Sequence, residues 1–177
     1  MGAVPLVDKL ADSLDHIAER TGYGAAWLAL ALVLLTFGVV VLRYLFDFGS
    51  IAMQEAVLYL HASLFLLGAA YTLKVDGHVR VDIFYRHLSV RARALVDLLG
   101  ALLLLLPVCG FLLWISWDYV ATAWALHEGS RETGGLPYVY LLKTLIPIAA
   151  GLLILQGISQ ALRSVSTLLG TADDGRA

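Results

Sequence analysis

An all-α integral membrane protein with four transmembrane helices is the fold class this sequence predicts, and three observations predict it. Four stretches carry no Asp, Glu, Lys or Arg: residues 21–42, 56–73, 98–117 and 144–162, which are 22, 18, 20 and 19 residues long. A hydrocarbon core of roughly 30 Å needs about 20 helical residues at a rise of about 1.5 Å each, so each run is long enough to cross. Secondly, the 177 residues are 60% hydrophobic and 15% charged, with a mean hydropathy of +0.82, which is more apolar surface than a soluble domain of this size can bury. Thirdly, the runs are continuous and Leu-rich, without the alternating ten-residue segments of a barrel; in lipid, such runs satisfy their amides and carbonyls as helices.

The elements follow in chain order. In the predicted N-terminal amphipathic helix, residues 1–20, Leu6, Leu10, Leu14 and Ile17 share one helical face, opposite Asp8, Asp12, Asp15 and Glu19. An acidic polar face is unlike the Lys-rich face that binds anionic lipid, so protein contact is expected of it. It is also unlike a cleaved signal, so the first span is expected to stay in the mature protein. That span is strongly driven, because Leu28 to Leu42 holds eleven Leu, Val or Phe residues at roughly −0.3 to −0.6 kcal/mol each. After the second span Asp76-Gly77 marks a turn, and Val81, Phe84, Tyr85 and Leu88 predict a short helix lying in the interface. Ser89 is placed to cap a further helix that carries Arg91 and Arg93 through the headgroups and makes the third membrane helix longer than the bilayer is thick. Residues 127–137 read as a loop rich in turn formers, with Pro137 opening the fourth helix, and residues 164–177 form a tail. Pro107 and Pro147 are expected to bend helices three and four, since each removes an internal hydrogen bond.

Lys and Arg divide unequally between the two sides. Lys9, Arg20, Lys74, Arg80, Arg86, Arg91, Arg93, Arg163 and Arg176 fall on one side, and Arg43, Arg131 and Lys143 on the other. Basic loops stay cytoplasmic, so both termini are expected inside. Tyr and Trp residues, among them Tyr23, Trp27, Tyr44, Trp114, Trp117 and Tyr138, gather at the ends of the spans as headgroup anchors.

Ionisable groups within the spans are scarce. Glu55 begins the second run, Arg43 and Lys143 lie at outer edges, and only His61 sits inside a run, where an imidazole hydrogen-bonded between helices is the expected state. His61, Phe65, Gly68 and Thr72 form a small, partly polar stripe of the kind that faces another helix. Ala150, Gly157 and Ala161 form a second stripe, with the owner of the neighbouring helix left open. Cys109 is the only cysteine, which excludes an internal disulfide, and it is read as packing. With no nucleophile and base pair, metal cluster or phosphate loop, neither enzyme activity nor a cofactor is expected. Nucleic-acid binding has no support, because the basic residues gather beside the membrane in a chain of net charge −2.

The segment KVDGHVRVD, Lys74 to Asp82, followed by Tyr85-Arg86, and the segment GLPYVYLLKTLIPI, Gly135 to Ile148, resemble the small membrane subunit of tripartite ATP-independent periplasmic (TRAP) transporters. The likeness covers roughly residues 20–163, with Asp118-Tyr119 departing from the family's pattern at the end of helix three. It implies a four-helix, non-catalytic subunit of a bacterial inner membrane transporter. It further implies that this subunit braces a large permease subunit, while a periplasmic binding protein delivers an organic anion, commonly a carboxylate, to sodium-coupled transport. By the match, Gly77, His78, Arg80 and Asp82 belong to the inner motif, and Gly134, Gly135, Pro137, Lys143 and Pro147 to the outer one. Candidates for contact with the large subunit or with membrane lipids are then Arg43, Glu55, His61, Gly68, His78, Arg80, Asp82 and Lys143. Glu128, Arg131 and Glu132 are the candidates for docking the binding protein. Two other functions are weighed. A respiratory membrane anchor carrying haem needs a second intramembrane histidine beside His61, and a small autonomous exporter needs an intramembrane carboxylate, for which Glu55 is the sole candidate.

Overall fold

The computed structural model describes residues 4–79 and 82–173, and these are helical apart from short connectors. The helices are α1 (Val4–Phe46), α2 (Ile51–Lys74), α3 (Asp82–Tyr85), α4 (Val90–Gly100), α5 (Leu106–Ala125) and α6 (Val139–Asp173), with a π-helical turn over Ala101–Leu105 joining α4 to α5. Four rods, α1, α2, the continuous α4–α5 unit and α6, are long and apolar enough to cross a membrane. Three of them exceed what crossing requires: α1 has 43 residues, α6 has 35 and the α4–α5 unit spans 36, or about 55–65 Å each.

The π turn has a local cause. Pro107 has no N–H, and its ring crowds the carbonyl four residues before it; widening the preceding turn, so that Leu106 N–H bonds to Ala101 O, absorbs both effects. Helix ends are closed by the chain itself. Ser89 caps α4 as its position predicts, accepting from Ala92 N at 3.3 Å, and Ser50 caps α2 in the same way. α2 ends in a Schellman motif, with Asp76 at a φ of 53°, Gly77 N–H bonded to Thr72 O and Asp76 N–H to Leu73 O. α5 ends likewise at His127, φ 45°.

α6 is the hub and packs against α1, α2, α4 and α5. The core it helps to form is made of small residues: Ala11, Ala18, Ala25, Ala70, Ala101, Cys109, Ala123, Ala149 and Ala150 are buried. Large side chains such as Trp27, Leu34, Phe37, Leu103, Leu104 and Trp114 point outward. This inversion is what lipid allows, because tails solvate Leu and Phe as well as a protein core does, and helices gain by bringing backbones close. Gly157 lies against Leu105 and Leu106, so the neighbour of the α6 small-residue stripe is a helix of this same chain.

α1 departs from the sequence reading. The helix runs unbroken from Val4 to Phe46, and it does not bury the predicted face. Leu10 and Ile17 are 52% and 41% exposed, whereas Ala11, Asp15 and Ala18 are buried. The reason lies across the interface, where α6 offers small residues and hydrogen-bond donors in place of a greasy groove.

Candidate functional site

Two clusters of polar side chains close the two ends of the bundle. At the end where α1 begins and α6 finishes, the Asp15 carboxylate, 6% exposed, is the centre. It accepts from Gln156 Nε2 at 3.0 Å, Ser159 Oγ at 2.5 Å, and Arg163 Nε and Nη2 at 3.0 and 2.5 Å. Arg163 also donates to Asp12 at 2.9 Å. Gln156, Ser159 and Arg163 are spaced three and four apart on α6, so they form one stripe that meets Asp15 along its length. Beside this node Lys74, the last residue of α2, pairs with Glu19 at 2.5 Å. The start of α4 is tied to the chain before it, with Arg93 donating to the carbonyls of Leu88 and Arg86, both at 3.0 Å, and the Tyr85 hydroxyl to Asp97 at 2.6 Å. Among these residues, Asp15, Lys74, Arg93, Asp97, Gln156 and Arg163 line an open pocket of about 320 Å³.

The loop end is held by Glu55. Its carboxylate, in the first turns of α2, accepts from the Ser130 hydroxyl and from Leu136 N–H, the latter at 2.6 Å, and so fastens the loop between α5 and α6 down onto α2. Gly135 must be glycine for this to happen, because a Cβ there would overlap Ser130 and lie 2.8 Å from Glu55 Oε1. Gly134, at φ +81°, supplies the left-handed turn beside it. Lys143 pairs with Glu128 at 2.5 Å and stands 3.9 Å from the centroid of the Tyr119 ring, which gives Tyr119 a partner in the segment where the sequence departs from the family pattern. Trp124 donates to Thr144 Oγ1 at 2.8 Å.

The predicted site residues thus divide. Glu55, Glu128 and Lys143 are each tied within the chain, Glu55 to Ser130 and Leu136, and Glu128 to Lys143. Arg131 and Glu132 are exposed on the loop tip, and Arg43 is exposed at the end of α1. His61 is exposed on α2 and not enclosed between helices of this chain; Phe65 is exposed beside it, and Gly68 lines a shallow groove of about 390 Å³ with Gly22, Ala25 and Thr72. His78, also exposed, borders the same groove. Asp82 opens α3, and Arg80 lies outside the described residues. The Asp15 node was missed in the sequence, although Gln156 and Ser159 are a legible signal: two polar residues on one face of an otherwise apolar run call for a partner.

Comparison with known proteins gives the family. The sequence profile described as "Tripartite ATP-independent periplasmic transporters, DctQ component" matches residues 32–167. A protein of Vibrio cholerae serotype O1 named "C4-dicarboxylate TRAP transporter small permease protein DctQ" is 34% identical over 89 residues, which is 50% of this chain and 38% of that relative. The match therefore spans less than half of the relative's length. No solved structure matches. A profile match over most of the chain, on four apolar rods of this size, establishes that the chain belongs to the DctQ family of TRAP transporter components.

Proposed function

We propose that this chain is the small, non-catalytic scaffold subunit of a sodium-coupled, binding-protein-dependent TRAP transporter for organic acids, bracing a large permease subunit in a bacterial inner membrane with both termini cytoplasmic. The observation that carries the reading is how its polar groups are spent. Asp15, Glu55, Lys143 and Arg163, four ionisable groups at the ends of the bundle, are each tied to another part of the same chain. A coupling site needs an ionisable group that changes partners during transport, and these groups instead fix helix positions. Meanwhile broad apolar faces and the groove lined by Gly22, Phe65, Gly68 and His78 are turned outward. We assign that groove to a helix of the large subunit, since small residues permit close backbone approach. We assign the exposed Arg131 and Glu132 to the binding protein; Glu128 contributes indirectly, by holding the base of the loop through Lys143.

Reconstitution into liposomes tests this. Uptake of a C4-dicarboxylate is expected only when this chain, the large subunit, the binding protein and an inward sodium gradient are all present. Uptake by this chain alone would overturn the proposal. Within the full system, charge reversal at Arg131 and Glu132 together is expected to weaken the apparent affinity for the binding protein while leaving subunit co-purification intact. An unchanged affinity would remove the loop's docking role.

A further inference from the structure

The pocket beside Asp15 is lined largely by charged and polar side chains. It lies where the apolar run of α2 gives way to Lys74 and that of α6 to Arg163, which is the level of the headgroups in a bilayer. Its volume of about 320 Å³ falls at the lower end of the ~300–1,000 Å³ typical of small-molecule sites. Its charged groups are mixed in sign, with Asp15, Asp76 and Asp97 beside Lys74, Arg93 and Arg163; Leu73, Val90 and Ala94 supply its apolar part, and Val90 is 61% exposed. Lys74 and Arg163 are paired with carboxylates, and two N–H groups of Arg93 are used on carbonyls. The wall is thus not a bare anion trap. What it lacks is a donor: Gln156, 4% exposed, lines the cavity and gives its Nε2 to Asp15, while its enclosed Oε1 takes no hydrogen bond. Exchanging the amide's oxygen and nitrogen gives no relief, because the oxygen would then face the carboxylate.

We propose that this cavity binds the phosphoethanolamine headgroup of a membrane phospholipid. Seating it draws the Gln156 amide towards the cavity, where Oε1 accepts from the primary ammonium. The phosphate takes the N–H groups of Lys74 and Arg93 that remain, and the glycerol and acyl chains leave past Val90 into the bilayer. Charges of both signs, with one unfilled acceptor enclosed just behind them, match a group that is anionic at one end and an N–H donor at the other. Phosphatidylcholine has the same charges but a trimethylated nitrogen with no N–H, so it fits the charge and fails the hydrogen bond.

The test is lipid retention by the purified, delipidated full chain, read by native mass spectrometry against phosphatidylethanolamine, phosphatidylcholine and phosphatidylglycerol of identical acyl chains. Phosphatidylethanolamine is expected to bind at least tenfold more tightly than either. Gln156→Leu, which removes the acceptor, and Val90→Trp, which fills the exposed mouth without touching the hydrogen-bond network, are each expected to bring it down to the phosphatidylcholine level. Equal binding of the two zwitterionic lipids would overturn the proposal, as would a preference that survives Val90→Trp or a stronger preference for phosphatidylglycerol. Glycerophosphoethanolamine, the headgroup without chains, separates the sources. It is expected to compete only at concentrations at least a hundredfold higher, and competition at equal concentration would assign the cavity to a soluble ligand instead. None of these readouts depends on transport, so the scaffold reading and the lipid site fail independently.

Discussion

Removing Arg163 is expected to destabilise the protein more than removing Asp15, although each loses the same bond. In Arg163→Ala the Asp15 carboxylate stays behind, 6% exposed, with only Gln156 and Ser159 to hold it. Stripping one partner from a buried ion pair costs about 3–5 kcal/mol. The guanidinium is 48% exposed, so water enters the space it leaves, and the lower end of that range, about 3 kcal/mol, applies. In Asp15→Ala no buried charge remains. Arg163 keeps Asp12 and solvent, the Ser159 hydroxyl can turn to Ala11 O at 3.2 Å, and the Gln156 amide is the one buried donor left unmet. That loss is worth about 2 kcal/mol, within the range for an unsatisfied buried group. Once Asp15 is gone, losing Arg163 adds little, so the double variant is expected near 2–3 kcal/mol and the coupling is about 2–3 kcal/mol. The assay is equilibrium unfolding in mixed micelles by SDS titration, followed by Trp fluorescence, for the wild type, both single variants and the double. Additive losses, or a coupling below about 0.5 kcal/mol, would refute the assignment of Asp15 as a buried, charge-compensated node.

Three further outcomes are expected. Gly135→Ala drives a Cβ into Ser130 and Glu55, and Glu55→Ala removes the acceptor of Leu136 N–H; both are expected to release the loop and raise tryptic cleavage at Arg131 at least tenfold, with Glu55→Gln between them and the wild type. Gly22→Leu places its Cβ 2.6 Å from Tyr71 Cβ, too near the backbone for the ring to swing clear, so α1 and α2 must separate at a cost of about 1–3 kcal/mol, seen as a lower midpoint in thermal unfolding by size-exclusion chromatography. Asp47 sits at φ 50° in the exposed connector between α1 and α2, where Asp47→Gly is expected to be neutral or stabilising and Asp47→Val to cost about 1–2 kcal/mol in the same assay.

What the sequence discloses and what it hides separate along one physical line. Run lengths, caps and breakers act within a few residues, so four membrane helices, the Ser89 cap, the Asp76-Gly77 turn and a distortion ahead of Pro107 were all legible. Pairings across the bundle were not. Glu55 stood out as an edge carboxylate, yet its partners lie 75 and 81 residues further on, and no local pattern connects them. The face of α1 misled for a different reason. Periodicity marks where large apolar side chains lie, but contact here is decided by what α6 offers: small residues and hydrogen-bond donors that suit the Ala11, Asp15 and Ala18 face, leaving Leu10 and Ile17 exposed. The inversion bears directly on function. In this chain the large apolar residues face outward, the Asp15 tie holds α1 to α6 and the Glu55 tie holds the α5–α6 loop to α2, so displacing α1 or α2 breaks one of them. These ties hold the outward apolar surface in place, which is what the proposed bracing of a large subunit requires.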